Sequence, residues 1–220
     1  MKNKLTIEAL IDEARAFCKV MSRENHMQLA GVTDGKAVGT YIEHRLESYL
    51  LERYDVEIGN SAKGIDLPDE CIQTDIKVTS ITLPQSSCPY KNARQKIFGL
   101  GYNLLVFVYN KKDTRDSCSL LFPHCAFIEA QRTGDYTMTK RLREMLEDGA
   151  NKEDIAAFLA DRNLPGDEIE YNRLAEEILA KPPSQGYLTI SNALQWRLQY
   201  GRVVELNNAV DGIVNYDRAE

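Results

Sequence analysis

The sequence predicts an α/β fold, in which helices cover the faces of a sheet, followed by a helical C-terminal region. Between residues 36 and 122, segments with helical spacing of apolar residues bracket short strand-like segments. Beyond residue 149 only helical patterns occur, separated by Pro-Gly and Pro-Pro breaks. With 43% hydrophobic residues, the 220-residue chain suffices for one full core and a smaller appended region. We therefore expect a core at 1–148 and a helical subdomain at 149–220.

The N-terminal quarter predicts two amphipathic helices. Apolar residues recur at helical spacing from Leu5 to Val20 and again from Lys36 to Tyr54. A turn rich in glycine separates the two segments. Glu43 lies beside the apolar stripe of the second helix, one turn after Gly39.

Three strand patterns follow the second helix. "DVEIGN" and "GIDL" are short and end at turn residues, and "CIQTDIKVTSI" alternates apolar and polar side chains. Asp75 and Lys77 share one face of the third strand because side chains two residues apart point the same way. If these strands form an antiparallel meander, Asp66 converges on the same place.

Helices and strands alternate after this segment. "ARQKIFGLG" predicts a short helix, "NLLVFVYN" a buried strand and "SCSLLF" a further strand. "HCAFIEAQR" and "MTKRLREMLEDG" predict helices. The C-terminal region predicts three more helices, in "NKEDIAAFLADRN", in "DEIEYNRLAEEILA" and between residues 188 and 210.

Cysteine usage and hydropathy limit the class of protein. The five cysteines are scattered without a CxxC pair, so neither a zinc site nor a disulfide framework is indicated. No apolar run approaches the roughly 20 residues of a membrane helix, and the N-terminus lacks a signal peptide. We expect a cytoplasmic protein with reduced thiols and no membrane partner.

Charge is unevenly distributed along the chain. The net charge is −6, yet residues 77–144 carry eleven basic and five acidic side chains. A basic centre between acidic flanks is compatible with a nucleic-acid cleft. Ordinary solvated charge would look the same, so both interpretations stay open on this observation.

The combination of Asp66, Asp75 and Lys77 indicates a chemistry. Two carboxylates a few ångströms apart repel, and a shared divalent cation or a raised pKa relieves the repulsion. Oxygen-only ligands select a hard ion, most simply Mg²⁺, which can polarise a phosphoryl oxygen and activate water. Lys77 could orient that water and stabilise charge on the phosphate. Phosphodiester hydrolysis uses all three groups.

These segments resemble the PD-(D/E)xK nuclease superfamily and, within it, the type II restriction endonucleases. "KGIDLP" supplies the first acid as Asp66, "TDIKVTS" supplies Asp75 and Lys77 as the D-x-K element, and "GTYIEHRLESYL" supplies the further acid Glu43. The resemblance implies a restriction-endonuclease-like core, a mixed central sheet flanked by helices. It also implies Mg²⁺-dependent cleavage of double-stranded DNA at a short specific site, commonly by a homodimer.

The resemblance also implies residue roles, and alternatives remain. Asp66, Asp75 and Glu43 would bind the metal, with Glu43 as a further ligand or supporting acid, and Lys77 would position the water. The literal Pro-Asp pair ends at Asp69, which could replace Asp66, although a turn role suits Asp69 better. Asp75 and Lys77 could instead form a solvent-facing ion pair, and Glu43 could be an ordinary exposed carboxylate.

Two segments carry side chains suited to DNA. The loop and helix start after Lys77, "PQSSCPYKNARQK", is rich in groups that contact phosphates and base edges, as is the C-terminal segment "SNALQWRLQYGR". The candidate DNA contacts are Gln85, Ser86, Ser87, Lys91, Asn92, Arg94, Gln95, Lys96, Asn192, Gln195, Arg197 and Arg202. A solvated loop, a capping helical bundle or a dimer interface would have similar composition.

Two other functions compete with restriction. A repair, nicking or junction-resolving nuclease of the same superfamily would keep the chemistry and change the substrate. A regulator that binds DNA through its C-terminal helices would keep the binding and lose the chemistry. Discrete double-strand cuts at one sequence would favour restriction over both.

Overall fold

The computed structural model describes residues 2–59, 64–87, 90–162, 164–191 and 197–217. The helices are α1 (Ile7–Met21), α2 (Gly35–Arg53), α3 (Ala93–Phe98), α4 (Tyr136–Glu147), α5 (Lys152–Asp161), α6 (Glu168–Ala180) and α7 (Gly201–Val204). The strands are β1 (Asn3–Lys4), β2 (Tyr54–Asp55), β3 (Thr74–Ser80), β4 (Gln85–Ser87), β5 (Asn103–Asp113), β6 (Cys118–Ile128), β7 (Thr189–Ile190), β8 (Arg197–Gln199) and β9 (Ile213–Asp217). The predicted α/β class is confirmed.

One compact unit contains residues 1–86, 102–128 and 203–220. Its central sheet has the strand order β3-β5-β6-β9, with β3 and β5 parallel and the other pairs antiparallel. This confirms the mixed central sheet. The expected meander is wrong, because β3 pairs with β5 and "GIDL" contributes only a single bridge, from Leu67 to Thr74.

Helices α1 and α2 cover one face of this sheet with aromatic and aliphatic side chains. The ring of Phe17 lies edge-on to Phe107 at a centroid distance of 5.8 Å, and Phe107 meets Phe122 at 6.1 Å. Leu46 on α2 and Ile76 on β3 belong to the same buried cluster. Residues 104–109 of β5 are all buried, as expected for a strand covered on both faces.

The other compact unit contains residues 87–101 and 129–202. Helices α3 to α6 share a separate core that includes Ile97, Leu142, Ile155, Leu159 and Ile178. The units therefore do not separate at residue 148 as expected. The physical reason is that β6 ends at Ile128, where the chain leaves the sheet, and β9 returns to the sheet near the C-terminus.

Two predicted helices are strands in the structure. "HCAFIEAQR" mostly continues β6, since Ala126, Phe127 and Ile128 are consecutive buried residues of a strand paired on both sides. The expected helix from residue 188 to 210 is replaced by the antiparallel pair β7–β8 and the short helix α7. The described part of the C-terminal region thus contains strands β7, β8 and β9 besides helices α5, α6 and α7, which corrects the expectation of helices alone.

The described cysteines Cys18, Cys71, Cys118 and Cys125 are free thiols. Cys88 lies outside the described residues. None of the helices in the described part of the chain is long and apolar enough to cross a membrane.

Candidate active site

A tight turn leads into the strand that carries the candidate acids. One side-chain oxygen of Asp69 accepts a hydrogen bond from the Cys71 backbone N–H at 3.0 Å. The Asp69 carbonyl accepts from the N–H groups of Ile72 at 2.9 Å and Gln73 at 2.8 Å. Asp69 is thus occupied in holding the turn, which favours Asp66 as the first acid.

Asp66 reaches the site along the edge of the sheet. The Leu67–Thr74 bridge, with N–H to O=C distances of 2.9 and 3.0 Å, holds the preceding segment beside β3. Ile76 lies two residues beyond Thr74 and faces the same edge, so its N–H points away from β5. This N–H donates to Asp66 Oδ2 at 2.7 Å. The expected convergence of Asp66 on the Asp75 strand is therefore achieved without a full hairpin.

Asp75 and Lys77 form a direct ion pair. Lys77 Nζ lies 2.7 Å from Asp75 Oδ2 and 3.3 Å from the Ile76 carbonyl oxygen. Asp75 is only 4% exposed, so the pair is not a solvent-facing surface bridge. Burial raises the pKa of Asp75 to about 7, Lys77 opposes that shift, and a hydrogen bond with Asp66 adds to it. Two carboxylates therefore share one small space.

Helix α2 brings further acids near Asp66. Gly39 packs against Val78 of β3, since a β-carbon on Gly39 would lie 3.8 Å from Val78 Cβ. One turn later, burial raises the pKa of Glu43, the charge of Asp66 adds to the rise, and Lys77 opposes it. Glu43 is thus no ordinary exposed carboxylate.

A fourth acid was missed by sequence reasoning. Glu47 lies one helical turn after Glu43, and burial together with the charge of Asp66 raises its pKa. The signal that could have identified it is the i, i+4 spacing from Glu43 on the same helix. Together, Glu43 and Glu47 extend the negative potential around Asp66.

The donor set fits a hard divalent cation. Asp66 and Asp75 offer carboxylate oxygens in a buried place where their mutual repulsion is relieved only by a proton or a cation. Across the described ranges, no three His, Cys, Asp or Glu side chains form a ready-made metal-binding group. A site of two carboxylates suits an ion that keeps several waters.

The loop and helix start after Lys77 use several predicted DNA contacts for structure. Asn92 caps α3 by accepting from the Gln95 N–H at 3.0 Å, and Gln95 Oε1 accepts from the Lys91 N–H at 2.7 Å. The guanidinium of Arg94 bonds both carboxylate oxygens of Glu177, at distances from 2.5 to 3.0 Å. Lys96 is 3% exposed.

These contacts bear on the DNA-binding prediction, which stays a prediction. Lys96 is deeply buried, and Arg94 is paired with a carboxylate. Lys91 is exposed, Gln85 is half-buried, and Ser86 and Ser87 have partners within the protein.

The described C-terminal candidates lie in a strand and a helix. Asn192 and Gln195 lie outside the described residues. Arg197 begins β8, and Arg202 lies in α7 with its guanidinium 3.8 Å from the ring centroid of Tyr136. Such stacking holds a cation in place while its N–H groups remain directed outward.

Comparison with known proteins agrees with this geometry. A family model described as Type II restriction enzyme NspV matches residues 4–215. The Type II restriction enzyme NspV of Nostoc sp. (strain ATCC 29411 / PCC 7524) is 56% identical over 216 residues, covering 97% of each chain. No solved structure matches the chain. The resemblance to type II restriction endonucleases is confirmed, and the chain belongs to the NspV family of type II restriction enzymes.

Proposed function

We propose that this type II restriction enzyme, a site-specific endonuclease of double-stranded DNA, cleaves phosphodiester bonds at Asp66, Asp75 and Lys77 with Mg²⁺. The observation that carries the assignment is the contact of 2.7 Å between Lys77 Nζ and Asp75 Oδ2, beside the Asp66 carboxylate. Type II restriction enzymes generally need a divalent ion, and the oxygen-only donor set favours Mg²⁺ among such ions.

Asp66 and Asp75 would hold the ion. When bound, Mg²⁺ polarises the scissile phosphate and lowers the pKa of a coordinated water. The N–H of Ile76 fixes Asp66 Oδ2, so that carboxylate is oriented before substrate arrives. Burial of Asp75 excludes bulk water from its oxygens, which strengthens every electrostatic interaction at the site.

Lys77 would act on the reacting groups themselves. Its ammonium carries three N–H donors, and two of them face the oxygens of Asp75 and Ile76 in the described structure. The third can donate to the attacking water or to a phosphoryl oxygen, where it would stabilise the charge that develops during hydrolysis. Asp75 thereby positions the lysine as well as the metal.

Glu43 would support the site from α2. Its charge acts on Asp66, and the charge of Lys77 lowers its pKa against the effect of burial. A further carboxylate near two others increases the attraction for a dication and repels an approaching phosphate until the cation is bound. We assign Glu43 this electrostatic role, and Glu47 shares it.

DNA would bind through polar and basic groups. Lys91 is an exposed cation, and Gln85, Ser86 and Ser87 lie on or beside the short strand β4. Arg197 and Arg202 supply guanidinium groups from the C-terminal segment. A homodimer with two-fold symmetry would present these groups to both halves of a palindromic site.

The test compares two neighbouring aspartates. Purified wild-type protein, Asp66→Asn, Asp69→Asn and Lys77→Ala are incubated with unmethylated phage DNA, with Mg²⁺ or with a chelator. We expect discrete fragments from the wild type and from Asp69→Asn only, because asparagine retains the oxygen that holds the turn. Loss of cleavage in Asp69→Asn with retention in Asp66→Asn would transfer the first acid to Asp69.

The form of the products separates the competing functions. Discrete double-strand cuts at one sequence are expected of a restriction enzyme, whereas nicks or structure-dependent cuts would indicate a repair or junction-resolving nuclease. Binding that survives Asp75→Ala, without cleavage by the wild type in any divalent ion, would indicate a regulator. Family membership favours the first outcome.

A further inference from the structure

The antiparallel pair β7–β8 (the ribbon) belongs to a three-stranded sheet of order β4-β8-β7 and has two chemically distinct faces. Thr189 pairs with Gln199 and Ile190 with Leu198, and Ser191 with Arg197 closes the pair through hydrogen bonds of 3.0 and 3.1 Å. On the inner face Leu188, Ile190, Leu198 and Tyr200 are at most 4% exposed. On the outer face Thr189, Ser191, Arg197 and Gln199 are half-buried.

The outer face consists of side chains that read bases. It combines two hydroxyls, one amide and one guanidinium, and these four positions include no carboxylate to repel phosphate. In the major groove of DNA, arginine pairs with guanine, glutamine with adenine, and serine or threonine with either. This face therefore carries the donors and acceptors that base edges in a major groove require.

The ribbon is fixed to the start of α4 by a buried carboxylate. Asp135 is 5% exposed, and one of its oxygens caps α4 by accepting from the Met138 N–H at 2.9 Å. Its other oxygen accepts from the Ile190 N–H of β7, also at 2.9 Å. The Tyr136 N–H donates to the Leu188 carbonyl at 2.8 Å. The backbone groups of Leu188 and Ile190, two residues apart on the inner face, are thus both hydrogen-bonded to the start of α4.

A second set of hydrogen bonds locks the segment that leads into β7. Gln185 Nε2 donates to the Tyr136 carbonyl at 3.1 Å and to Thr139 Oγ1 at 3.0 Å, and the Gly186 N–H donates to Thr139 Oγ1 at 2.9 Å. Side chains that discriminate between bases must be held within a fraction of an ångström, since a misplaced donor pairs with the wrong base edge. The network supplies this rigidity.

We propose that the outer face of the β7–β8 ribbon reads base edges in the major groove, and that Asp135 is the positioning residue that holds the ribbon in register. The inference rests on the proposed endonuclease function and adds the element that selects the sequence. Arg197 and Gln199 are the principal base-reading residues, with Thr189 and Ser191 beside them.

The experiment measures discrimination between base pairs. The recognition site is first mapped from the wild-type cuts in unmethylated phage DNA, and duplexes are made with each base pair of that site replaced in turn. Cleavage of every duplex is compared for the wild type, Arg197→Lys, Gln199→Ala and the control Gln131→Ala, an exposed glutamine bonded only to nearby Glu129 in the described structure.

Each ribbon variant should lose about 10- to 100-fold in kcat/KM on the mapped site and lose discrimination at one base-pair position or one symmetric pair of positions. Gln131→Ala should match the wild type. Unchanged discrimination in both ribbon variants, or equal loss on every duplex, would overturn the inference while leaving the endonuclease intact. A wild type that cuts no DNA would overturn the proposed function and the inference together.

Asp135 is tested with a matched helix cap. Asp135→Asn keeps one acceptor and loses the acceptor that faces Ile190, whereas Asp167→Asn alters the cap of α6, which holds only the Glu170 N–H at 2.9 Å. We expect Asp135→Asn to reduce discrimination at every position that the ribbon reads, and Asp167→Asn to leave discrimination unchanged. Equal discrimination in both variants would reduce Asp135 to an ordinary cap.

Discussion

Lys77 Nζ lies 2.7 Å from Asp75 Oδ2, and both side chains project from one face of an edge strand. This pairing keeps the ammonium directed along the strand instead of into solvent. The positive charge of Lys77 also opposes the rise in the pKa of Asp75 that burial causes. The orientation of Lys77 and the charge state of Asp75 thus depend on each other.

Replacing Lys77 with methionine should abolish most cleavage while sparing DNA binding. The substitution keeps the length of the side chain and removes the N–H donors that we assign to the attacking water and phosphate. We expect kcat to fall by at least about 10²- to 10³-fold, with the Kd for the mapped site in Mg²⁺ changed by less than tenfold. Single-turnover cleavage and fluorescence anisotropy measure the two quantities.

A surface lysine provides the control for that variant. Lys152 forms an ion pair with Glu176 at 2.6 Å on the surface, so Lys152→Met removes a carboxylate-paired lysine without touching the site. Its kcat should equal that of the wild type. Cleavage by Lys77→Met at the wild-type rate would remove the lysine from the mechanism.

Asp75→Asn should make the metal-free protein more stable at neutral and alkaline pH. The folded pKa of Asp75 is raised to about 7 from 3.8, so the group stabilises the fold at acidic pH and loses that contribution as pH rises toward 7. Asparagine resembles the protonated form at every pH. In the presence of a chelator, we expect Tm to rise by at least about 2–4 °C at pH 8 and to change little at pH 4.

The pH dependence distinguishes this effect from a general change in packing. The Tm difference between Asp75→Asn and the wild type should grow between pH 4 and pH 7 and stay constant above that range. Asp12→Asn, at a position whose side chain is 78% exposed, should show no such growth. A Tm difference that is equal at pH 4 and pH 8 would contradict the assignment of the raised pKa.

Gln73→Gly should stabilise the turn that precedes β3. Gln73 has a φ of +36°, outside the range that non-glycine residues usually adopt. Glycine removes the steric cost but adds freedom to the unfolded chain, so we expect a net gain of about 0.5–1 kcal/mol in the free energy of unfolding. Gln73→Ala keeps the steric cost and should give no gain. Urea unfolding of the three proteins measures the difference, and equal midpoints would contradict it.

Gly186→Ala should destabilise the second unit. A β-carbon on Gly186 would lie 2.1 Å from the carbonyl oxygen of Gly134, which is backbone and cannot move aside freely. We expect a loss of about 3 kcal/mol or more in the free energy of unfolding. Gly201→Ala is the control, because nothing lies within 4 Å of the added carbon. Similar urea midpoints for the two variants would show that the two segments can separate.

The proximity of Asp75 and Lys77 could be predicted from sequence because their spacing belongs to a strand. Side chains two residues apart share a face whatever the neighbouring strand is, so Asp75 and Lys77 met as expected even though β3 pairs with β5. Asp66 lies beside them for a different reason, because a single bridge fixes the segment before β3. Glu47 was missed because its role comes from tertiary packing of α2 against β3, which a helical pattern does not specify.

The elements predicted incorrectly lie in segments whose apolar residues are compatible with the spacing of a helix and with that of a strand. The run that ends at Ile128 is continuously apolar, and such a run is compatible with a buried helix or a buried strand. The alternation of Leu188, Ile190, Leu198 and Tyr200 was present in the sequence, but residues 191–197 separate its two halves. The burial of Lys96 and the pairing of Arg94 with Glu177 arise from distant parts of the chain and leave no local signal.

The return of β9 to the sheet sets the order in which the first unit can fold. Strand β9 pairs with β6, from which it is separated by about 85 residues of chain, so the ladder between them closes one of the longest loops in the molecule. During synthesis, β3, β5 and β6 leave the ribosome long before their last neighbour. Until residues 213–217 have been synthesised, the nascent chain therefore carries β3 on a sheet with an open edge at β6.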